Sequence, residues 1–194
     1  MNTPQLTDNP PPQDTVALSA GEVADYSDLA TGTAYPFSEW PKPKKVPKFG
    51  AGVYTIWHHD GRFIYVGMSG RSMTADTVYR KKPLGIYTRL NSHANGRRSG
   101  DQFCVYVADR LVLPTLSQED ITAIALGRHR MDAFLRRYIH ENLSYRFVIL
   151  PDGKAARDLE AAIKDGKWEP GRPLLNPAKR QLRQITGPEG NPRA

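Results

Sequence analysis

The feature that most constrains this chain is a turn dipeptide set between two apolar runs. The segment GVYTIWHHDGRFIYVG, residues 52–67, places Asp60-Gly61 between stretches rich in β-branched and aromatic side chains. This pair favours a two-residue hairpin loop, because Asp and Gly tolerate the positive φ angles that such a loop requires. The predicted cross-strand pairs are His59 with Arg62, Ile56 with Tyr65, and Tyr54 with Gly67.

Side chains alternate across a strand, so each face of the predicted hairpin has its own character. One face carries Tyr54, Ile56, His58, Phe63 and Tyr65. The other face is apolar, is predicted to be the core, and carries Val53, Thr55, Trp57, Ile64 and Val66. The two phenols are diagonal neighbours, and Gly67 is predicted to leave space opposite Tyr54. This arrangement suits proton transfer at a phosphate, although tyrosines are also ordinary half-buried strand residues.

The remaining segments alternate between helical and strand patterns. Helices are predicted over about 84–95, over about 118–141 with a bend at Gly127, and from Asp152 or Gly153 onward. Strands are predicted over 102–108 and 144–150. The expected class is α/β of the α+β type. It comprises a small, mostly antiparallel sheet built on the hairpin and flanked by helices, with a strand–helix insertion over about 100–142.

Composition divides the chain into four segments. Residues 1–35 begin with a polar, proline-rich stretch and are predicted to be a disordered or loosely packed arm. Residues 36–49 contain several prolines and lysines, and are interpreted either as a linker or as an extended segment that follows a phosphate backbone. Residues 50–178 are predicted to form the main domain, and residues 179–194 a flexible tail.

The charge balance indicates a polyanionic partner. The chain has 27 Lys and Arg against 20 Asp and Glu, a formal net charge of +7, and nucleic acid is the commonest partner of such a surface. The predicted nucleic-acid contacts are Lys42, Lys44, Lys45, Lys48, Arg71, Arg80, Lys81, Lys82, Arg97 and Arg98.

Other classes of protein are disfavoured by the sequence. No apolar run approaches the roughly 20 residues of a membrane span, and no secretory signal is visible, so we expect no membrane partner and a cytoplasmic location. The single cysteine, Cys104, excludes an internal disulfide and is predicted to be a small buried hydrophobe.

Three polar residues outside the hairpin can carry chemistry. Arg89 and His93 are four residues apart on a predicted helix and therefore share a face. An arginine can hold a phosphate through two hydrogen bonds, and a histidine can accept a proton. Glu160 lies on a later helix, where it can ligate a hard divalent cation or pair with Lys164 one turn on.

The order of these residues resembles the GIY-YIG nuclease family over residues 50–178. The two motifs that name the family are similar to Gly52-Val53-Tyr54 and Tyr65-Val66-Gly67. The family's helical arginine and histidine resemble Arg89 and His93, its metal-binding glutamate resembles Glu160, and its final asparagine resembles Asn176 in PLLNP.

The resemblance implies a metal-dependent DNA endonuclease with one Mg²⁺ or Mn²⁺ ion per active site. Glu160 would hold the metal, Arg89 would hold the phosphate, and Asn176 would orient Glu160 or a nearby backbone group. Tyr54 is the expected general base, positioned by Tyr65, and His93 is the alternative base because its usual pKa is near neutrality.

The chain departs from a minimal family member in two places. The loop between Gly67 and Arg89 is long, so Arg71 is a rival for the catalytic arginine, although only Arg89 has a histidine one turn later. The insertion over about 100–142 is expected to shape substrate choice.

The expected partner is double-stranded DNA. A restriction or defence enzyme would act as a homodimer to cut both strands of a palindrome. The alternatives are a nuclease for DNA repair or branched DNA, and a catalytically silent DNA-binding module.

Overall fold

The computed structural model describes residues 26–41, 46–78 and 83–176. The predictions for the tail, for most of the N-terminal arm and for six of the basic residues fall outside these ranges. Those six residues are Lys42, Lys44, Lys45, Arg80, Lys81 and Lys82.

The described residues form five strands and five α-helices. The strands are β1 (Tyr35–Pro36), β2 (Phe49–His58), β3 (Phe63–Ser69), β4 (Leu84–Gly85) and β5 (Leu143–Leu150). The α-helices are α1 (Ile86–Ala94), α2 (Gln102–Val107), α3 (Gln118–Ala125), α4 (Met131–Asn142) and α5 (Gly153–Lys164). Short 3₁₀ turns lie at Ser27–Leu29, Phe37–Glu39 and Leu113–Thr115, and a π-helical turn lies at Ala108–Val112.

The sheet has the order β1-β5-β2-β3, and every neighbouring pair along this path is antiparallel. Strand β4 adds one short parallel pairing to the start of β2. The predicted α+β class, with a small and mostly antiparallel sheet flanked by helices, is confirmed.

The hairpin follows the predicted register except near its loop. Tyr54 pairs with Gly67 and Ile56 with Tyr65, but Trp57 then pairs with Phe63 across a β-bulge. Ile64 is the extra residue. The predicted pairing of His59 with Arg62 is therefore wrong, and His58 N donates instead to Arg62 O at 2.9 Å.

The bulge exchanges the faces of two apolar residues, because an extra residue breaks the alternation of side chains. Phe63 stacks on Trp57, with ring centroids 4.7 Å apart, in a cluster with Val53 and Val66. Ile64 packs with Tyr54 in a second and larger cluster. The prediction for these two side chains is wrong in this respect.

Both faces of the sheet are buried, whereas only the Val53 face was expected to be the core. The larger cluster, on the Tyr54 face, contains side chains of α1, α2 and α4. The smaller cluster, on the Val53 face, contains side chains of α5 and Leu29. The helices thus enclose the sheet from two sides, and the Tyr54 face becomes a site wall rather than a solvated surface.

Residues 102–108, predicted to be a strand, form helix α2 and the start of the π-helical turn. The Asp101 side chain accepts a hydrogen bond from Cys104 N and so caps the helix. The buried residues Phe103, Cys104 and Val107 follow helical spacing. Six residues are too few for the two periods to be distinguished in the sequence.

The predicted helix over 118–141 is two helices, α3 and α4. Gly127, with a φ of 69°, ends the first one, and its N–H donates to Ile124 O at 3.0 Å. The predicted helix near 84–95, the strand over 144–150 and the helix start at Asp152 are confirmed as α1, β5 and α5, with Asp152 capping Ala155 N at 2.8 Å.

Part of the predicted arm and linker belongs to the folded body. Strand β1 pairs with β5 at the edge of the sheet, and the Phe37 side chain is fully buried in the larger cluster. Trp40 Nε1 donates to Asn91 Oδ1 on α1 at 3.0 Å. In the part of the chain that the structure covers, no helix has the length and apolar character needed to cross a membrane.

Candidate active site

A cavity of about 480 Å³ opens at the Tyr54 face of the hairpin. Residues of β2, β3, α1, α5 and the loop before α2 line it. Five of the six residues predicted to be catalytic lie together on its wall: Tyr54, Tyr65, Arg89, His93 and Glu160. The sixth, Asn176, is not among the lining residues.

The two phenols occupy neighbouring positions on this wall. Their ring centroids are 6.4 Å apart, and Tyr54 is only 1% exposed. The Tyr54 hydroxyl lies over Gly67, where a Cβ atom would overlap it. The space predicted opposite Tyr54 is therefore filled by the Tyr54 side chain itself, and glycine at 67 lets the phenol cross the strand.

A hydrogen-bonded chain runs from Tyr54 through His93 to Asp101. The Tyr54 hydroxyl is 2.7 Å from His93 Nε2, and His93 Nδ1 is 2.7 Å from Asp101 Oδ2. A carboxylate only accepts, so Nδ1 carries a proton. Burial lowers the pKa of His93, against the opposing effect of Asp101. In the resulting neutral imidazole Nε2 is free to accept, and Tyr54 donates to it.

Asp101 is almost completely buried, at 3% exposure, and has three donors around it. Besides His93, it accepts from Ser92 Oγ at 2.8 Å and from Cys104 N at 3.3 Å. Burial alone would raise the pKa of Asp101, but these hydrogen bonds and the nearby imidazole outweigh it and lower the pKa. The carboxylate therefore stays ionised behind His93.

Neither phenol ionises on its own near neutral pH. Burial raises the pKa of Tyr54 well above its usual value, and neighbouring Tyr65 adds to the effect while Arg89 opposes it. Burial likewise raises the pKa of Tyr65, followed by the charge of Glu160. A proton can leave Tyr54 readily only if it passes to His93 as another arrives.

Four further charged residues line the same cavity. Arg89 is exposed on α1 and also lines the cavity, as does its rival Arg71. On α5, Glu160 Oε1 is 2.9 Å from Lys164 Nζ. The ion pair one turn along the helix, which was one interpretation of Glu160, is thus present, and both partners face the cavity.

Asn176 acts on the backbone of β3. Its Oδ1 accepts from Val66 N at 2.9 Å, and its Nδ2 donates to Val66 O at 3.0 Å. Leu174 N and Leu175 N donate to the carbonyls of Phe63 and Ile64 at 3.0 and 2.8 Å. Residues 174–176 therefore hold β3, the strand that carries Tyr65. Asn176 was predicted to orient either Glu160 or a nearby backbone group, and its contacts are with the backbone of Val66.

Among the described residues, one group of possible metal ligands was found at the cavity wall, namely His93, Asp101 and the buried Cys104. Within the ranges that the structure covers, His93 and Asp101 are already hydrogen-bonded to each other, and Cys104 Sγ donates to His93 O at 3.7 Å. Cys104 is fully buried, as predicted. A nitrogen and a thiol are poor ligands for Mg²⁺, which prefers oxygen, so Glu160 is the carboxylate suited to such an ion.

Asp101 and Lys164 are site residues to which the sequence interpretation gave no catalytic role. Asp101 falls in the segment treated as an insertion and precedes residues assigned to a strand. The sequence does contain a signal for Asp101, because aspartate is a favoured capping residue just before a helix. That signal is recognisable only if residues 102–107 are read as a helix. Among the predicted nucleic-acid contacts, Lys48, Arg71, Arg97 and Arg98 are exposed.

Comparison with known proteins adds no family assignment. No protein-family model, no curated protein and no solved structure matches this chain.

Proposed function

We propose that this chain is a divalent-metal-dependent DNA endonuclease that hydrolyses phosphodiester bonds with GIY-YIG-type chemistry. The observation that carries the proposal is the buried Tyr54 hydroxyl, bonded to His93 at 2.7 Å in a cavity that also contains Arg89 and Glu160. The site thus combines a proton acceptor, a phosphate-binding cation and a carboxylate. These are the groups that phosphodiester hydrolysis requires.

The hydrogen-bonded chain supplies the route for the proton. A water molecule in the cavity attacks phosphorus and gives a proton to the Tyr54 oxygen, while Tyr54 passes its own proton to His93 Nε2. The P–O bond to the leaving sugar oxygen breaks, and that oxygen takes a proton from solvent. Asp101 stabilises the imidazolium that forms. The two alternative bases, Tyr54 and His93, then act in series.

The other cavity residues handle charge. Arg89 is exposed and can hold a phosphate oxygen pair through its guanidinium. Glu160 is partly exposed at the cavity and fits a magnesium ion, because Mg²⁺ keeps most of its waters and takes one or two carboxylates. When bound, the ion supplies Lewis acidity and stabilises the leaving oxygen. The ion pair between Lys164 and Glu160 would have to break for the metal to bind.

The wider assignment is a restriction or defence enzyme that acts on double-stranded DNA in the cytoplasm. A homodimer would let it cut both strands of a palindrome. A nuclease for repair or branched DNA has the same active-site requirements and differs in the DNA that it selects.

A catalytically silent DNA-binding module is the second candidate. The Glu160–Lys164 ion pair favours it, because the carboxylate already has a cationic partner. The buried Tyr54–His93–Asp101 chain favours the enzyme. Burying linked polar groups is destabilising, and a surface that only binds DNA does not require such a buried chain.

Cleavage of supercoiled plasmid tests the proposal. With Mg²⁺ or Mn²⁺ we expect nicked and linear products, and none in EDTA. Glu160→Gln should remove cleavage and leave duplex binding nearly unchanged, whereas Glu169→Gln, an exposed glutamate beyond α5, should retain both. Duplex binding by the wild type without any product would establish the silent module. Sequencing of the ends separates discrete sites from structure-dependent cleavage.

A further inference from the structure

Exposed arginines form a basic surface that begins beside the cavity and extends onto α4. Its members, called here the arginine surface, are Arg97, Arg98, Arg128, Arg130, Arg136 and Arg137, and all six are exposed. Two of them belong to the loop between α1 and α2, which continues into Gly100 and Asp101 on the cavity wall. The other four belong to α4 and to the turn before it.

Three contacts join the loop to α4 in one packed unit. Arg98 Nε donates to Asp132 Oδ1 at 2.9 Å. Gly96, with a φ of 64°, lies so close to α4 that a Cβ atom there would be 2.7 Å from Arg136 Cα. His140 Nε2 is 2.9 Å from the carbonyl oxygen of Ala94 at the end of α1. The arginines on both sides of this junction therefore keep a fixed relation to the cavity.

A shallow groove crosses the far end of the surface. It has a volume of about 380 Å³ and is lined by Arg128, His129, Arg130, Ala133, Phe134 and Arg137. The Arg137 guanidinium lies 5.2 Å from the centre of the Phe134 ring, and Phe134 packs against the larger core cluster. A cation–π contact of this kind holds the guanidinium in place while its outward edge stays free to donate.

Few ion pairs neutralise the arginine surface. Asp132 pairs with Arg98, and within residues 26–41, 46–78 and 83–176 no salt bridge involves the other five arginines. Glu119 and Asp120 line a separate depression on the other side of Arg128. Asp120 also lines a smaller depression with Glu141 and Arg137, so carboxylates border the surface both at Arg128 and at Arg137.

We infer that the arginine surface binds the phosphate backbone of duplex DNA to one side of the scissile phosphate. The inference rests on the proposed function for the position of that phosphate. Arg130 and Arg137 are separated by about 10 Å along α4 at 1.5 Å per residue, which corresponds to about three base-pair steps of 3.4 Å along the axis of a duplex. Arginine forks pair with successive phosphates without reading sequence. Helix α4, the turn before it and the loop between α1 and α2 thereby hold the substrate.

The test measures duplex binding over a series of salt concentrations. Full-length Arg128→Gln/Arg130→Gln and Arg136→Gln/Arg137→Gln variants are compared with wild type by fluorescence anisotropy of a labelled duplex of 30 base pairs in EDTA. Each lost phosphate contact should reduce the slope of log K against log salt by about 0.9, so each double variant should lose about 1 to 2 in slope and bind more weakly.

The matched control removes the same charge elsewhere. In Arg62→Gln/Arg172→Gln, two exposed arginines near the hairpin loop and beyond α5 are replaced, and the slope should stay at the wild-type value. Circular dichroism verifies that all variants fold. An unchanged slope in both surface variants, or an equal loss in the control, overturns the inference.

Two further measurements separate the possible failures. If the surface variants lose binding to polyglutamate and retain binding to DNA, the surface serves an acidic protein and the inference is overturned. If the wild type binds duplex through the arginines but never cuts plasmid with Mg²⁺, the nuclease proposal fails and the inference stands. If the wild type cuts plasmid but the surface variants keep the wild-type slope, the nuclease proposal stands and the inference about the arginine surface is overturned.

Discussion

The Tyr54 hydroxyl is buried, and its hydrogen-bond partner is an imidazole that is itself held by a buried carboxylate. Burial raises the pKa of Tyr54 and lowers the pKa of His93, so the resting site contains a neutral phenol and a neutral imidazole. Proton transfer between them becomes favourable only as a second proton reaches the phenol oxygen. In the proposed mechanism, the site would therefore stay inert until a water molecule and a phosphate are in place.

Tyr54→Phe should slow single-turnover cleavage by a hundredfold or more, the scale that removal of a general base produces. The change deletes the atom that receives the proton from water and leaves the ring in place. Tyr65→Phe is the comparison, because the Tyr65 ring contacts His93 edge-on at 6.1 Å while Tyr54 holds the hydrogen bond to Nε2, and its loss should be smaller. Near-normal single-turnover rates for Tyr54→Phe would assign the base role to His93 alone.

Asp101→Asn should lower the maximal cleavage rate a hundredfold or more and move the acidic limb of its pH profile to lower pH. Asp101 raises the pKa of His93 against the effect of burial. Without the carboxylate the imidazole holds a proton less well, so it stays neutral to lower pH and accepts the proton from Tyr54 less readily. Single-turnover rates measured across pH give both effects.

The control for Asp101→Asn is Thr55→Val. Thr55 is also buried, and its hydroxyl donates to Leu29 O at 2.6 Å on the opposite face of the sheet. Its loss should cost stability without moving the pH profile. A profile for Asp101→Asn with an unchanged acidic limb would limit Asp101 to a structural role.

At the scale of elements, predictions succeeded where a long pattern or a cap was present in the sequence. The central pairs of the hairpin and the cap at Asp152 are local signals, whereas Gly127, predicted only to bend one long helix, ends α3. Such signals act over a few residues and do not depend on the rest of the fold. The hairpin signal alone predicts that Tyr54 pairs with Gly67, as the structure shows.

The errors arise where packing between distant segments decides the conformation. Residues 102–107 are helical because Asp101 caps them and because their apolar residues meet the Tyr54 face. The bulge at Ile64 lies opposite the Ile56–Trp57 step of β2, and Leu175 N donates a hydrogen bond to the Ile64 carbonyl. Both partners are distant in the sequence from Ile64 or belong to another strand. Asp101 remained unidentified for the same reason, since its role depends on the distance to His93.

At the scale of the whole molecule, the residues before the hairpin are part of the folded unit. Strand β1 extends the sheet beyond β5, and Phe37 lies in the same cluster as Tyr54 and Leu90. The segment thus supports the wall on which the candidate site is built, although its composition resembles that of a linker.

Phe37→Ala should lower the free energy of unfolding by about 3–5 kcal/mol, the cost of removing a large buried aromatic side chain. That is a large part of the roughly 5–15 kcal/mol available to a domain. Urea denaturation followed by tryptophan fluorescence measures the change, with Val78→Ala as control because Val78 is 74% exposed. A loss below about 1 kcal/mol would mean that residues 35–41 are dispensable.

The segment that ends at Asn176 has a consequence for how two copies can meet. Strand β3 is the last in the sheet order, and its outward backbone groups at Phe63, Ile64 and Val66 already bond to residues 174–176. An incoming strand from another molecule would find those groups occupied. At the opposite border, β1 pairs with β5 only at Ser144 and Tyr145. Self-association by extension of the sheet at β3 is therefore disfavoured, and two protomers would have to meet through another surface.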